Sequence, residues 1–401
     1  MNNIVQLLIE KGVKIYNPDS VYIDDDIDIE RISGKNVIIY SGCKIFGKET
    51  YIMHGCNIGY EAPVTIEDCQ LGPDVHLKGG FFRKSVFLKG SSCGLGSHVR
   101  EGTILEEFAS IAHTVGLKQT ILFPFATIGS LVNFCDCLLT GGTSKKDHSE
   151  IGSSYIHFNY TPHQDKATPS LLGDVPMGVM LDKKPIFLGG QGGLVGPCRL
   201  NFGTVTAAGT ICRKDELRES RLIYGGINKE GNVPYSTGKH QNLKRILKNN
   251  LIYIGNLFAL FQWYDIIRSK FFSDDFTVVL LNGAKTRISE GINERIKRLY
   301  ELIEKNGNNE DNSNQLKNEL YQNRDNLKAC LNELISFRGI NDRLNDFMDG
   351  IEKLYNKNYI QCIKGLDSQT KEFGTLWLNG IVSKILDETQ KLLPSFQIGE
   401  K

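Results

Sequence analysis

Aliphatic residues recur about every sixth position through the first half of the chain. Between residues 39 and 77 the spacings are 6, 7, 6, 6, 7 and 6, at Ile39, Ile45, Ile52, Ile58, Val64, Leu71 and Leu77. Neither a helix nor a hairpin strand has this period. It suits short strands joined by tight corners, each hexad forming one side of a triangular prism. The pattern predicts a left-handed parallel β-helix of about ten turns over residues 21–225.

Persistence of the hexad through nearly 200 residues argues against the alternative, an antiparallel β-sandwich with accidental spacing. The β-helix needs a cap at its open start, and residues 1–20 are expected to supply a short amphipathic one. Of the 41 glycines, 29 lie in residues 1–226, so the composition changes close to the end of the repeats. Residues 226–245 are accordingly interpreted as a linker.

The second half of the chain has a helical period. Apolar residues there step by 4, 4, 3 and 4, at Ile288, Ile292, Ile296, Leu299 and Ile303. This spacing places them on one face of a helix, and similar stripes follow farther along. We therefore expect an α-helical C-terminal domain over residues 246–401, which makes the chain a β plus α protein.

The composition of the chain indicates which kinds of partner it binds and in which cellular compartment it lies. Lys plus Arg number 47 and Asp plus Glu 46, so no basic surface for nucleic acid is expected. The apolar stretch Leu251–Ile267 contains Asn256, Gln262 and Asp265, which predicts a packed helix rather than an integral membrane segment. Ten cysteines without a CxxC pair predict buried reduced thiols, no metal site and a cytoplasmic location.

Polar residues with possible chemistry concentrate where the hexad pattern breaks. Residues 147–174 read DHSEIGSSYIHFNYTPHQDKATPSLLGD, and the segment NYTPHQDKATPS is expected to protrude from the prism. The candidates there are His148, His157, Asn159, Tyr160, His163 and Lys166. Because a smooth rod has few pockets of its own, such a loop suits a site shared between neighbouring prisms.

This segment resembles the part of a hexapeptide-repeat acyltransferase that reads IG(A/S)G…NYDG…K…IGD. That family is the C-terminal acetyltransferase domain of the bifunctional enzyme that acetylates glucosamine-1-phosphate and uridylates the product. Residues 187–213, FLGGQGGLVGPCRLNFGTVTAAGTICR, are similar to the run that follows in that domain, and the resemblance covers residues 108–213. It implies a homotrimer with sites between subunits, where acetyl-CoA or another acyl-CoA donates its acyl group to the amine of a sugar substrate.

Carried over by position, the resemblance assigns roles to individual residues. Asn159 and Tyr160 would contact the sugar, and Lys166 its phosphate. Ala208 would contact CoA through its backbone, and Gly190 and Arg213 of the terminal coils are the other cofactor-binding candidates. The uridylyltransferase domain of that family has no counterpart here, so its activity is not expected.

The position of the family's catalytic histidine, counted back from Ile151-Gly152, holds Asp136. An N-acyl transfer needs a base for the amine proton, and an exposed aspartate is a weaker base than histidine. His157 and His163 are therefore further catalytic candidates beside Asp136. Three functions stay open: an N-acyltransferase for an amino sugar, its phosphate or its nucleotide conjugate; a non-catalytic sugar-nucleotide-binding or scaffold protein; and a transferase of different chemistry using the helical domain.

Overall fold

The computed structural model describes residues 3–161, 165–225, 242–272, 274–307, 315–339, 341–355 and 358–396. Most of the predicted linker and the candidate His163 therefore lie outside the described residues. Helix α1, Asn3–Glu10, precedes the first coil, and its Val5 and Leu8 are buried in the core of the prism. Short 3₁₀ turns at Pro18–Ser20 and Ile29–Arg31 belong to the first coils.

The first part of the chain is a parallel β-helix of about eleven turns with three sheets, which confirms the predicted fold class. Sheet 1 contains Lys14–Ile15, Ile38–Ile39, Asn57–Ile58, His76–Leu77, Ser92–Cys93, Ser110–Ile111, Thr127–Ile128, Glu150–Ile151, Phe187–Leu188, Val205–Thr206 and Leu222–Ile223. Sheet 2 contains Tyr22–Ile23, Lys44–Phe46, Val64–Glu67, Gly80–Arg83, Ser97–Val99, Gly116–Lys118, Asn133–Cys135, Ile156–Phe158, Gly193–Val195 and Ile211–Cys212. Sheet 3 contains Tyr51–Ile52, Gln70–Leu71, Ser85–Phe87, Thr103–Leu105, Ile121–Leu122, Cys137–Leu139, Ser170–Leu172 and Arg199–Leu200.

The hexad residues stack inside the prism as the sequence predicts. Ile39 pairs with Ile58, and Ile58 with Leu77, in parallel register, and all three side chains are completely buried. The corners between strands need unusual backbone angles, and Gly59 accordingly has a φ of 92°. Between Cys137–Leu139 and Ile151 the chain leaves the hexad as an antiparallel hairpin of Gly142–Ser144 and Asp147–His148.

The second part of the chain is helical among its described residues. The short helix α2 (Val175–Gly178) lies within the β-helix. The helices of the second part are α3 (Leu243–Gln262), α4 (Asp275–Gly307), α5 (Gln315–Gln322), α6 (Arg324–Leu334), α7 (Asn341–Glu352), α8 (Tyr359–Gly365) and α9 (Ser368–Leu392). A π-helical turn, Trp263–Ile267, and a 3₁₀ turn, Arg268–Phe271, continue α3. The stripe from Ile288 to Ile303 is buried in the core of this domain.

The helical domain packs on the outer face of sheet 3, mainly through α3 and α4. Strands of sheet 3 are consequently buried on both faces: Leu105 points into the prism core, whereas Ile104 belongs to the core shared with the helices. The same division holds for Leu122 and Ile121, and for Leu172 and Leu171. One face of the prism is therefore a domain interface within a single chain.

Polar residues of the apolar stretch Leu251–Ile267 each have a partner within the protein. Asn256 Oδ1 accepts a hydrogen bond of 2.7 Å from Val175 N in the β-helix, and Gln262 Nε2 donates one of 3.1 Å to Ile335 O. These contacts fit a helix packed between protein layers. Across the described residues, no helix is long and apolar enough to cross a membrane.

Candidate functional site

Asp136 occupies a corner of the prism where sheet 2 turns into sheet 3. It follows the strand Asn133–Cys135 and precedes Cys137–Leu139, with a φ of 60°. Its backbone N donates to Lys118 O of the preceding coil at 2.9 Å, which holds the corner in register. The next coil brings Asn159 to the same corner, because Asn159 directly follows the strand Ile156–Phe158 of sheet 2.

Both oxygens of the Asp136 carboxylate have partners. Arg295 of α4 places its Nη2 atom 2.9 Å from Oδ1, and Asn159 Nδ2 donates to Oδ2 at 2.5 Å. The side chains of Asp136 and Arg295 are only 7% and 3% exposed, so this is a buried ion pair. In this arrangement Asp136 must first release Arg295 or Asn159 before it can accept a proton from a substrate.

The helical domain also holds the loop that follows Asn159. Arg295 Nη1 donates to Lys166 O at 3.4 Å, and Asn250 Nδ2 of α3 donates to Ala167 O at 2.9 Å. Thr168 Oγ1 donates to Asn159 O at 2.7 Å and closes the base of the loop. These bonds hold the backbone at Asn159, Lys166 and Ala167.

Two predicted substrate contacts remain open to solvent at this corner. The Tyr160 side chain is 56% exposed, and Lys166 is exposed as well. The structure thus brings Asp136, Asn159, Tyr160 and Lys166 to one corner, where a phenol and an ammonium group are exposed to solvent.

His157 lies beside this corner but points into the protein. Its Nδ1 lies 2.6 Å from Cys135 O, and its Nε2 lies 2.8 Å from Ser170 Oγ. The carbonyl can only accept, so Nδ1 carries the proton and Nε2 accepts from Ser170. Burial lowers the pKa of His157 to about 4, which keeps the ring neutral. With both nitrogens bonded and the ring buried, His157 can reach a substrate only if this packing changes.

The remaining sequence candidates lie elsewhere. The three cofactor-binding candidates lie on the terminal coils. Gly190 and Ala208 are at corners where sheet 1 turns into sheet 2, and Arg213 directly follows the sheet 2 strand Ile211–Cys212. Ala208 and Arg213 are exposed. His148 belongs to the hairpin and has its Nδ1 2.9 Å from Lys145 O. His163 falls outside the described residues, so the structure gives it no position.

Cysteines and possible metal ligands are the remaining groups with candidate chemistry. All ten cysteines are free, and nine of them are buried. Within the described ranges no group of three or more His, Cys, Asp or Glu side chains is arranged to hold a metal ion.

Comparison with known proteins connects these coils to one group of enzymes. No protein-family model matches the chain. The bifunctional protein GlmU of Fervidobacterium nodosum is 28% identical over 212 residues, which cover 53% of this chain and 41% of that protein. Over about half of its length this chain is similar to GlmU. The GlmU of Pelobacter propionicus is 28% identical over 227 residues, covering 56% and 44%, and that of Thermosipho africanus 30% over 212 residues, covering 53% and 42%.

The chain spans less than half the length of the GlmU proteins that it matches. The matched length is close to that of the β-helix, whose first and last strands are Lys14–Ile15 and Leu222–Ile223. The candidate corner of Asp136 belongs to this region.

Sequence reasoning missed Arg295, which contacts the candidate site most closely. Arg295 is a polar member of the α4 stripe between Ile292 and Ile296, and it lies 159 positions from Asp136. An arginine next to two core positions of an amphipathic helix was the available signal, because a charge there needs a buried partner.

Proposed function

We propose that this chain is a CoA-dependent acyltransferase that acts on an amino sugar, its phosphate or its nucleotide conjugate. The assembly of Asp136, Asn159, Tyr160 and Lys166 at one corner of a GlmU-related β-helix carries this proposal. The exposed Lys166 ammonium would bind the phosphate, and Asn159 and Tyr160 the sugar hydroxyls. The backbone at Gly190 and Ala208, with Arg213, would hold the acyl-CoA.

In the proposed reaction the amine nitrogen attacks the thioester carbonyl of acyl-CoA. The carbon–sulfur bond breaks and CoA leaves as the thiolate, while a base takes one proton from the amine and passes it to the thiolate to give free CoA thiol. Asp136 can serve as this base only in a conformation that frees one of its oxygens, and His163 is the alternative. Buried free thiols support a reducing, cytoplasmic setting for such an enzyme.

We further propose that the enzyme is a homotrimer whose copies meet on sheet 2 near the site. The helices already cover sheet 3 of each chain. Three large apolar side chains on the outer face of sheet 2, Ile156, Phe158 and Ile211, are 43%, 41% and 40% exposed. Ile156 and Ile211 lie on neighbouring positions of one ladder, each paired with Gly193. A second prism packed there would cover these side chains and bring another chain to Tyr160.

The proposed activity can be tested by incubating the purified protein with acetyl-CoA and a panel of amino sugars and measuring the thiol released. The panel should contain free, phosphorylated and nucleotide-linked amino sugars. We expect turnover with one acceptor class. If the acceptor is a phosphate ester, Lys166→Met should raise KM about tenfold or more by removing a charged hydrogen bond. The matched control is Lys44→Met, because Lys44 is an exposed lysine of sheet 2 near the other end of the β-helix. Absence of thiol release with every acceptor would refute the proposal.

Light scattering tests the assembly against the chain mass of 44.9 kDa. We expect three times this mass for the native protein and a smaller assembly for Phe158→Asp. Tyr22→Asp, at the first strand of sheet 2, should leave the mass unchanged. A native mass equal to one chain would contradict the trimer.

The buried Asp136–Arg295 pair favours a second candidate, a protein that binds the sugar ligand without transferring an acyl group. In that case a nucleotide sugar or sugar phosphate should bind in calorimetry, binding should weaken in Lys166→Met, and no acceptor should release thiol. Turnover abolished by Asp136→Ala would exclude this candidate.

A further inference from the structure

A cleft of about 640 Å³ opens between the β-helix and the helical domain, away from the corner of Asp136. On the β-helix side its residues belong to three successive coils where sheet 3 turns into sheet 1, whereas Asp136 lies between sheets 2 and 3. On the helical side its residues come from the 3₁₀ turn Arg268–Phe271 and from the region of α8. The volume falls in the range of sites for small organic ligands, about 300–1,000 Å³.

Aromatic rings form much of the cleft wall. Phe108 and Phe125 occupy equivalent corners of adjacent coils, with φ values of 60° and 70°. Their backbones are tied by the coil register, since Phe125 N donates to Glu107 O at 3.0 Å, and their rings stack with an angle of 4° and centroids 6.0 Å apart. Tyr355 and Phe271 face them from the helical domain. Such walls favour a ligand with a flat ring.

Cationic groups surround the same space. Lys89 follows sheet 3 on the first of the three coils, and Lys270 comes from the 3₁₀ turn. Within the described residues Lys89 makes no ion pair, and Lys270 has only a partner at 4.0 Å, Glu352. Lys145 of the hairpin lies 4.0 Å from the ring centre of Phe108 and adds positive charge at the aromatic wall.

Arg268 forms the fixed floor of the cleft. It is completely buried, donates to both oxygens of Glu107 at 3.1 and 2.6 Å, and lies 3.8 Å over the Tyr359 ring. Glu107 neutralises Arg268, and Glu352 is the one ion-pair partner of the two lysines among the described residues, so Lys89 and Lys270 give the cleft a net positive charge. Arg268 Nε, moreover, is buried without a hydrogen-bond partner in the described part of the chain.

We propose that this cleft binds a nucleoside phosphate. The base would stack against the Phe108 and Tyr355 side of the cleft, and the phosphate would lie between Lys89 and Lys270. This ligand combines a flat ring with a mobile anion, which matches the two kinds of group that line the cleft. The inference does not depend on acyl transfer, because no residue of the cleft belongs to the corner of Asp136.

Calorimetry on the full-length chain with AMP, UMP, uridine and inorganic phosphate tests the proposal. We expect one or both mononucleotides to bind at least tenfold more tightly than uridine or phosphate, because only they offer both groups. Preference for AMP would point to adenine nucleotides such as CoA as the source of the ligand, and preference for UMP to uridine nucleotides. Tryptophan fluorescence is a second readout, since Trp263, one of two tryptophans, donates to Tyr359 Oη of the cleft at 3.1 Å.

Substitutions of residues that line the cleft test whether the mononucleotide binds there. Lys89→Gln/Lys270→Gln should weaken mononucleotide binding about 10- to 100-fold, as expected for lost charged hydrogen bonds. Phe108→Leu should weaken it about fivefold or more through lost stacking. Lys44→Gln, on sheet 2, should bind like the native chain, and unchanged unfolding midpoints show that the variants are folded. No binding of either mononucleotide at millimolar concentration, or binding equal in all variants, would overturn the proposal.

Discussion

Replacing Arg295 with methionine tests whether the helical domain is held to the β-helix by a buried charge pair. Methionine retains the apolar stem of Arg295 but leaves Asp136, 7% exposed, with Asn159 as its remaining side-chain partner. Removing one partner of a buried pair costs about 3–5 kcal/mol, because the other charge stays in a poorly solvated place. We therefore expect the free energy of unfolding to fall by about this amount at pH 7.

The pH dependence of this loss identifies its cause. A buried carboxylate without its cation can escape by taking a proton, and protonating an ordinary carboxyl group costs about 4 kcal/mol at pH 7 but about 1.5 kcal/mol at pH 5. The penalty from the unpaired charge is therefore limited to those values and shrinks as the pH falls. A loss caused only by poorer packing of methionine would be the same at both values of pH.

Urea unfolding followed by tryptophan fluorescence measures the effect, since Trp263 and Trp377 both lie in the helical domain. The matched control is Arg298→Met on the same helix, whose side chain is 24% exposed and pairs with Glu294 and Glu301. Surface pairs of this kind contribute about 0.2–1 kcal/mol. The double variant Arg295→Met/Asp136→Asn should recover most of the stability. A loss below about 1 kcal/mol in Arg295→Met, or one equal at pH 5 and pH 7, would refute this reasoning.

Three further outcomes follow from buried groups and tight corners. Burial lowers the pKa of His157 from 6.5 to about 4, so as the pH drops through this window the unfolded chain binds a proton before the folded chain does, and the stability of the protein falls. In His157→Gln the midpoint of urea unfolding should therefore depend less on pH between 6.5 and 4. Burial raises the pKa of Glu106 from 4.5 to about 7, so the folded chain keeps a proton that the unfolded chain loses, and stability falls as the pH rises through this window. Glu106→Gln should remove this fall, and an unchanged dependence of the urea midpoint on pH would contradict the prediction. A Cβ on Gly94 would lie 2.7 Å from the Ala112 backbone, whereas one on Gly116 would meet only Asn133 Oδ1 at 3.8 Å. Gly94→Ala should therefore lower the melting temperature and the free energy of unfolding by about 1–3 kcal/mol, and Gly116→Ala should lower both clearly less.

The β-helix could be predicted because its signal is local and repeated. Each hexad places one aliphatic side chain inside the prism, and Ile39, Ile58 and Leu77 show this spacing without any knowledge of distant contacts. The docking of the helices on sheet 3 also has a signal, which is a second apolar residue in most of the strands there. In Ile104-Leu105 and Ile121-Leu122 both neighbours are apolar, as expected for strands buried on two faces.

The geometry of the candidate site could be predicted only in part. Neighbouring coils bring Asp136 and Asn159 together, and the register of a coil follows from the sequence repeat. Arg295 comes from another domain, and no period links its position to that of Asp136. The inward orientation of His157 likewise depends on Ser170 and Cys135 O, two partners on other coils that a linear pattern does not identify.

The helical domain changes how a site on this prism must be completed. A bare prism would need a neighbouring copy to wall a pocket at the corner of sheets 2 and 3. Here α3 and α4 already supply one wall, through Asn250 on the loop and Arg295 on Asp136. Among the described residues, the sheet 2 side with the exposed Tyr160 and Phe158 is left for a second chain or a substrate. Freeing the Asp136 oxygen that Arg295 holds requires this side chain of α4 to move, so ligand binding at this corner and the stability of the domain interface are expected to be coupled.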